Sequence, residues 1–82
     1  MAYNNLNHYK QIYFIQQYTL KMQKKGIKNV RIHENLSKVY PMTIQTFYSY
    51  LAQNVKAKLR AMKVDFNELK KESEYINSII PE

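Results

Sequence analysis

Glycine occurs once in this chain, at position 26, and proline twice, at positions 41 and 81. These two residue types are the strongest breaks in a backbone pattern. With so few of them, the chain is restricted to regular elements joined by short connections. No alternating apolar run bounded by turn dipeptides occurs, so nothing points to a strand. Apolar residues recur at helical spacing instead. The expected fold class is all-α, a compact bundle of four to five helices. At 82 residues the chain makes one domain with a modest core.

Five segments follow from periodicity and caps. Leu6, Tyr9, Ile12, Tyr13, Ile15, Thr19, Leu20 and Met22 form a broad stripe on a helix from about Leu6 to Lys25, with Asn5 as N-cap. Lys21, Lys24 and Lys25 suit its negative end, and Gly26 stands where a left-handed residue is needed. Ile32, Leu36, Val39 and Tyr40 share one face of a second helix, Val30 to Val39, with Asn29 as cap. Pro41 stops it at or before Tyr40, because a residue preceding proline is pushed out of the helical region. Thr43 caps a third helix, Ile44 to Ala52, whose inner stripe is Phe47 and Leu51 with Tyr50 beside them. Asn54 caps a fourth, Val55 to Met62, unless the third and fourth are continuous. Asp65 and Glu68 have the spacing of a capping box for the last helix. There Phe66, Leu69, Ile76 and Ile80 lie near heptad spacing, Ser73 interrupts them, and Pro81 ends the run.

Charge divides the chain into a basic block, 1–63, and an acidic helical tail, 64–82. The first block sets 11 Lys and Arg against one acid, Glu34; the second sets five acids against two lysines. Positive charges with almost no internal partners imply an anionic partner, nucleic acid first and an anionic membrane surface second. The tail reads as a packing or dimerisation helix. Phe66, Leu69, Ile76, Ile79 and Ile80 exceed what one small core needs, which favours a homodimer. Folding back onto the core and recruiting a second protein are the other readings.

Several chemistries are excluded. Without cysteine there is no disulfide and no thiolate zinc site, and His8 and His33 join no carboxylate set, so no metal is expected. Each histidine reads as a surface or boundary residue. Glu34 has no second carboxylate near it in the basic block, and one glycine cannot build a phosphate loop. A nucleophilic tyrosine would need clustered Arg and His, and the chain has only Arg31 and Arg60 as arginines. No enzyme activity, cofactor or small-molecule substrate is therefore expected. Eight tyrosines could stack on bases, but Tyr9, Tyr13, Tyr40 and Tyr50 read better as packing residues. No apolar run is long enough to span a membrane. The first helix is basic and amphipathic, yet its polar face is as much glutamine and asparagine as lysine, which suits packing better than a membrane surface. MAYNNLNHYK lacks the apolar region of a secretory signal, so a cytoplasmic location is expected.

The stretch from Lys28 to Ala52 reads helix, tight turn, helix. Met42 precedes the Thr43 cap, and Phe47 and Leu51 follow it four and eight positions on. This pattern resembles the helix-turn-helix family of DNA-binding domains. Thr46-Phe47-Tyr48, Tyr50 and Leu51 are also similar to a Ser-x-x-Thr-Phe-Tyr-x-Tyr-Leu signature of small regulators of bacterial phages and conjugative elements, with Thr43 in the serine's place. The resemblance implies double-stranded DNA as partner, with a role in transcriptional regulation or as an accessory protein of a mobile element. It makes Ile44 to Ala52 the recognition helix, with Ile44, Gln45, Thr46, Tyr48 and Ser49 as base contacts. Gln45 can bind adenine bidentately, Ile44 or Thr46 can touch a thymine methyl, and Ser49 can approach either base edge. Thr43 at the helix start, with Lys28, Arg31, Lys38, Lys56, Lys58 and Arg60 around it, would take phosphates.

One departure stands out. The resembling proteins often carry arginine at the places of Ile44, Gln45 or Ser49, and this helix has none. Without an Arg–guanine contact, either the site is A/T-rich or the basic flanks carry the affinity. A non-enzymatic helical adaptor for another protein is the alternative reading.

Overall fold

The fold, taken from a computed structural model, is described for residues 5–80. Five helices follow in order: α1 (Asn5–Lys24), α2 (Asn29–Leu36), α3 (Ile44–Ala52), α4 (Val55–Ala61) and α5 (Phe66–Ile79). No strand occurs among the described residues. The all-α bundle is therefore the architecture.

Helix α1 is the axis of the molecule. It packs against each of the other four helices, and α2 also packs on α3. Ile12, Tyr13, Phe14 and Ile15 are all buried, four residues in a row. Four consecutive residues span a full helical turn, so this turn is enclosed on every side. A single apolar stripe does not describe such a helix. Tyr18, outside the expected stripe, is completely buried, while Leu20, inside it, is half exposed.

Two clusters form the core along α1. Ile15, Tyr18 and Met22 meet Ile32, Leu36, Phe47 and Ile80. Ile12, Tyr13 and Phe14 meet Val55, Leu59 and Leu69. Tyr50 and Ile76 touch both clusters and join them. Four of the five apolar residues singled out in this segment thus serve the core, Leu69 and Ile80 buried and Phe66 and Ile76 half-buried, while Ile79 is exposed. Ser73 does not interrupt the inner face. It is itself buried there, on the side of α5 that faces α1.

Caps set most boundaries. The Asn67 and Glu68 amides donate to Asp65 Oδ1 at 3.0 and 3.5 Å, and Ala57 N donates to Asn54 Oδ1 at 3.4 Å. α3 and α4 are separate helices, broken at Gln53 and Asn54. Two helices end in the same bonded turn. Gly26 (φ +83°) bonds to Gln23 O and Ile27 to Met22 O. Lys63 (φ +59°) bonds to Arg60 O and Val64 to Leu59 O. These are Schellman caps, each closed by an apolar residue, Ile27 or Val64, packed on its cluster. At Lys63 a side chain sits where glycine is favoured.

Three boundaries differ from expectation. Asn5 belongs to α1 itself and is not its cap, and Pro81 lies outside the described residues. Lys28, not Asn29, is the N-cap residue of α2, with extended backbone and no side-chain cap bond. Asn29 Oδ1 instead accepts from Gln23 Nε2 of α1 at 2.9 Å. α2 stops at Leu36, three residues early. Ser37 Oγ donates to His33 O at 2.8 Å, and Lys38 and Val39 close tighter bonds to Asn35 O and Leu36 O. The α2–α3 connection is therefore 37–43, longer than the usual three- to four-residue turn of the motif. Val39 and Tyr40 still pack on the first cluster from this connection.

Candidate nucleic-acid interface

The geometry of α3 begins with its cap. Thr46 N donates to Thr43 Oγ1 at 3.2 Å, and the Thr43 hydroxyl donates to Thr46 Oγ1 at 3.1 Å. Phe47 is completely buried among Ile32, Leu36 and the α1 residues. Burial of such a side chain contributes about 2–3 kcal/mol. Leu51 and Tyr50 pack beside it, half-buried.

Polar bonds then hold α3 at both ends. Before it, His33 Nε2 donates to Met42 O at 2.8 Å, with Ser37 Oγ 3.2 Å from the same nitrogen. The His33 ring lies 5.7 Å from the Phe47 ring, centre to centre. After it, Gln16 Nε2 of α1 donates to Tyr50 O at 2.8 Å and Gln53 O at 2.7 Å. Tyr50 O lies in the last turn of α3, where it also accepts from Gln53 N at 3.3 Å, and Gln53 is the residue that caps the helix end. A long connection precedes α3, so its direction rests on these contacts and on Phe47.

The outward side follows from that anchoring. Gln45, Tyr48, Ser49 and Ala52 fall within about 100° of arc, opposite Phe47, and all four are exposed. Ile44 and Thr46 sit at the two edges, half-buried. Thr46 is partly committed to its cap partner Thr43. The exposed arc carries no charge.

The six basic residues around α3 are exposed, but they divide. Lys28, Arg31 and Lys38 belong to α2 and its flanks, in the half of the molecule built on the first cluster. On α4, Val55 and Leu59 face the core, and Lys56 and Arg60, four apart, share one exposed side. Lys58 lies on the other side, its Nζ 4.9 Å from the centre of the Tyr9 ring. Its ammonium leans on α1, away from Lys56 and Arg60.

Sequence reasoning missed Gln16 and His33 as the residues that fix α3. The amide-rich polar side of α1 was the one available signal for Gln16. For His33 there was none, because its partner is a backbone carbonyl beyond the next turn.

Among the described residues, no group of three or more His, Asp or Glu is placed to hold a metal ion. No described helix is long and apolar enough to cross a membrane. Comparison with protein-family models, curated proteins and solved structures finds no match.

Proposed function

We propose that the protein is a non-enzymatic, cytoplasmic binder of double-stranded DNA that lays α3 in a major groove. The observation that carries this reading is the uncharged arc of Gln45, Tyr48 and Ser49, on a firmly held helix in a block of 11 cations and one acid. The start of α3 offers free amides and partial positive charge to a phosphate. Lys28, Arg31, Lys38, Lys56 and Arg60 supply sequence-independent attraction. Gln45 supplies adenine contact, Ile44 a methyl for thymine, and Ser49 a contact to either base edge. An A/T-rich site fits a helix without arginine. The role that follows is transcriptional regulation, or an accessory part in a mobile element.

The test is a gel shift with random and A/T-rich duplexes at two salt concentrations. About five phosphate contacts give a log–log salt slope of about −4 to −5. Binding that ignores salt, or no binding at low salt, refutes the reading. One observation favours an adaptor instead: Tyr48 keeps 46% of its surface on the same uncharged arc. An adaptor held by apolar contacts would show no salt slope with DNA.

A further inference from the structure

Once its inner residues enter the core, the rest of α5 is exposed, and one part of that outer side carries its uncovered Tyr75 and Ile79. Glu68, Lys71, Glu72, Tyr75 and Ile79 are all exposed. They fall within about 100° of arc on the helix, turned roughly 120° from the buried face. Tyr75 keeps 66% of its surface and Ile79 51%. Beside the arc runs a shallow groove against α1, lined by Phe14, Lys71, Glu72, Tyr75 and Ile76. This is not the set of apolar residues expected to dimerise, since Leu69 and Ile80 are spent on the chain's own core.

The charge order along the arc selects the occupant. Two carboxylates, Glu68 and Glu72, repel a phosphate backbone or an anionic lipid surface. A second copy running parallel would set Glu68 on Glu68 and Glu72 on Glu72. A second copy running antiparallel fits. If Lys71 faces Glu72 of the second copy, two-fold symmetry repeats the pair, because an isologous contact makes each interaction twice. In the same register Tyr75 faces Glu68, placing a hydroxyl beside a carboxylate, and Ile79 lies past the start of the facing helix. Glu72 Oε1 is 3.9 Å from Lys10 Nζ within the chain, which leaves its second oxygen for the new partner.

We propose that this arc of α5 is a two-fold contact between two copies of the chain, antiparallel and keyed by reciprocal Lys71–Glu72 pairs around Tyr75 and Ile79. The contact does not depend on the DNA reading. One pair of four-turn helices lies at the small end of specific interfaces, below about 1,200 Å² in total. The dimer is accordingly weak and concentration dependent.

Sedimentation velocity of the intact chain without DNA, from about 10 μM to about 1 mM, should show monomer passing to dimer. Lys71→Glu and Glu72→Lys each turn two attractions into two repulsions, so each should weaken association about tenfold or more. An equimolar mixture of the two variants should form a heterodimer of wild-type strength. The doubly substituted chain, K71E with E72K, should dimerise like the wild type. Far-UV circular dichroism checks that each variant keeps its helices, and K71E with the double variant suffices if E72K does not. A wild type that stays monomeric throughout overturns the proposal. So does a dimer indifferent to the single swaps, or a double variant that fails to recover.

Discussion

The side-chain amide of Gln16 donates to the main-chain carbonyl of Tyr50 at 2.8 Å, across 34 residues of sequence. Gln53 O takes a second bond from the same nitrogen at 2.7 Å. One side chain of the central helix therefore holds the end of α3 and its break from α4. Gln16→Leu leaves both carbonyls without this donor. We expect a loss of about 1–2 kcal/mol in a urea titration. Gln16→Glu should cost more, since a carboxylate would then face two carbonyl oxygens. A Gln16→Glu variant as stable as the wild type would show that the bonds contribute nothing.

At the other end, His33→Ala removes the bond to Met42 O and the ring against Phe47. Stability should fall by about 1–2 kcal/mol. The local readout is amide hydrogen exchange. Protection should drop at Thr46 and Phe47, in the first turn of α3, more than in α5. Uniform loss across the chain would make His33 a general core residue and not a hold on α3.

The two left-handed caps predict opposite signs. Nothing lies within 4 Å of a Cβ built on Gly26, so Gly26→Ala meets only the backbone penalty of its positive φ. It should destabilise by about 1 kcal/mol. Lys63→Gly relieves the same penalty at φ +59°. It should stabilise by about 0.5–1 kcal/mol, net of the freedom glycine adds to the unfolded chain. Thermal melts of the two variants should move in opposite directions.

Burial pushes the Tyr13 and Tyr40 hydroxyls above their ordinary value of 10.0. The folded chain then holds these protons at a pH where the unfolded chain releases them. Their effect is absent below about pH 10 and destabilises progressively above it. Urea midpoints measured at about pH 8 and about pH 11 should differ, with the higher pH less stable. The control is the chain carrying both Tyr13→Phe and Tyr40→Phe. Its midpoint should fall less.

For the DNA reading, Gln45→Ala should change base preference at one position by about 1–3 kcal/mol. Lys56→Ala should weaken all duplexes alike and lower the salt slope by about one. Lys58→Ala should change the slope less than Lys56→Ala, because Lys58 lies over Tyr9. Equal effects of Lys56 and Lys58 would mean that the ammonium leaves the ring on binding.

Local chemistry was legible in the sequence. Gly26 as a left-handed cap, Thr43, Asn54 and Asp65 at helix starts, and Phe47 as an inward residue all depend on neighbours within about one turn. The outward arc of α3 follows from Phe47 by helix geometry alone, so Gln45, Tyr48 and Ser49 were readable as exposed.

What the tertiary structure decided is what depends on how many neighbours a helix has and where they stand. Periodicity gives the direction of a side chain around its own axis. It does not say that α1 is enclosed on all sides, which is why Tyr18 is buried and Leu20 is not. Nor does it reveal partners far along the chain. Gln16 reaches α3, Lys58 turns to Tyr9, and Ser73 fits against α1 because packing brought those elements together. The sequence by itself determined an all-α chain, most of its caps and the sidedness of α3. Only the assembled bundle determined which polar side chains hold α3 and which face of α5 is left bare, because both depend on contacts made after the helices meet.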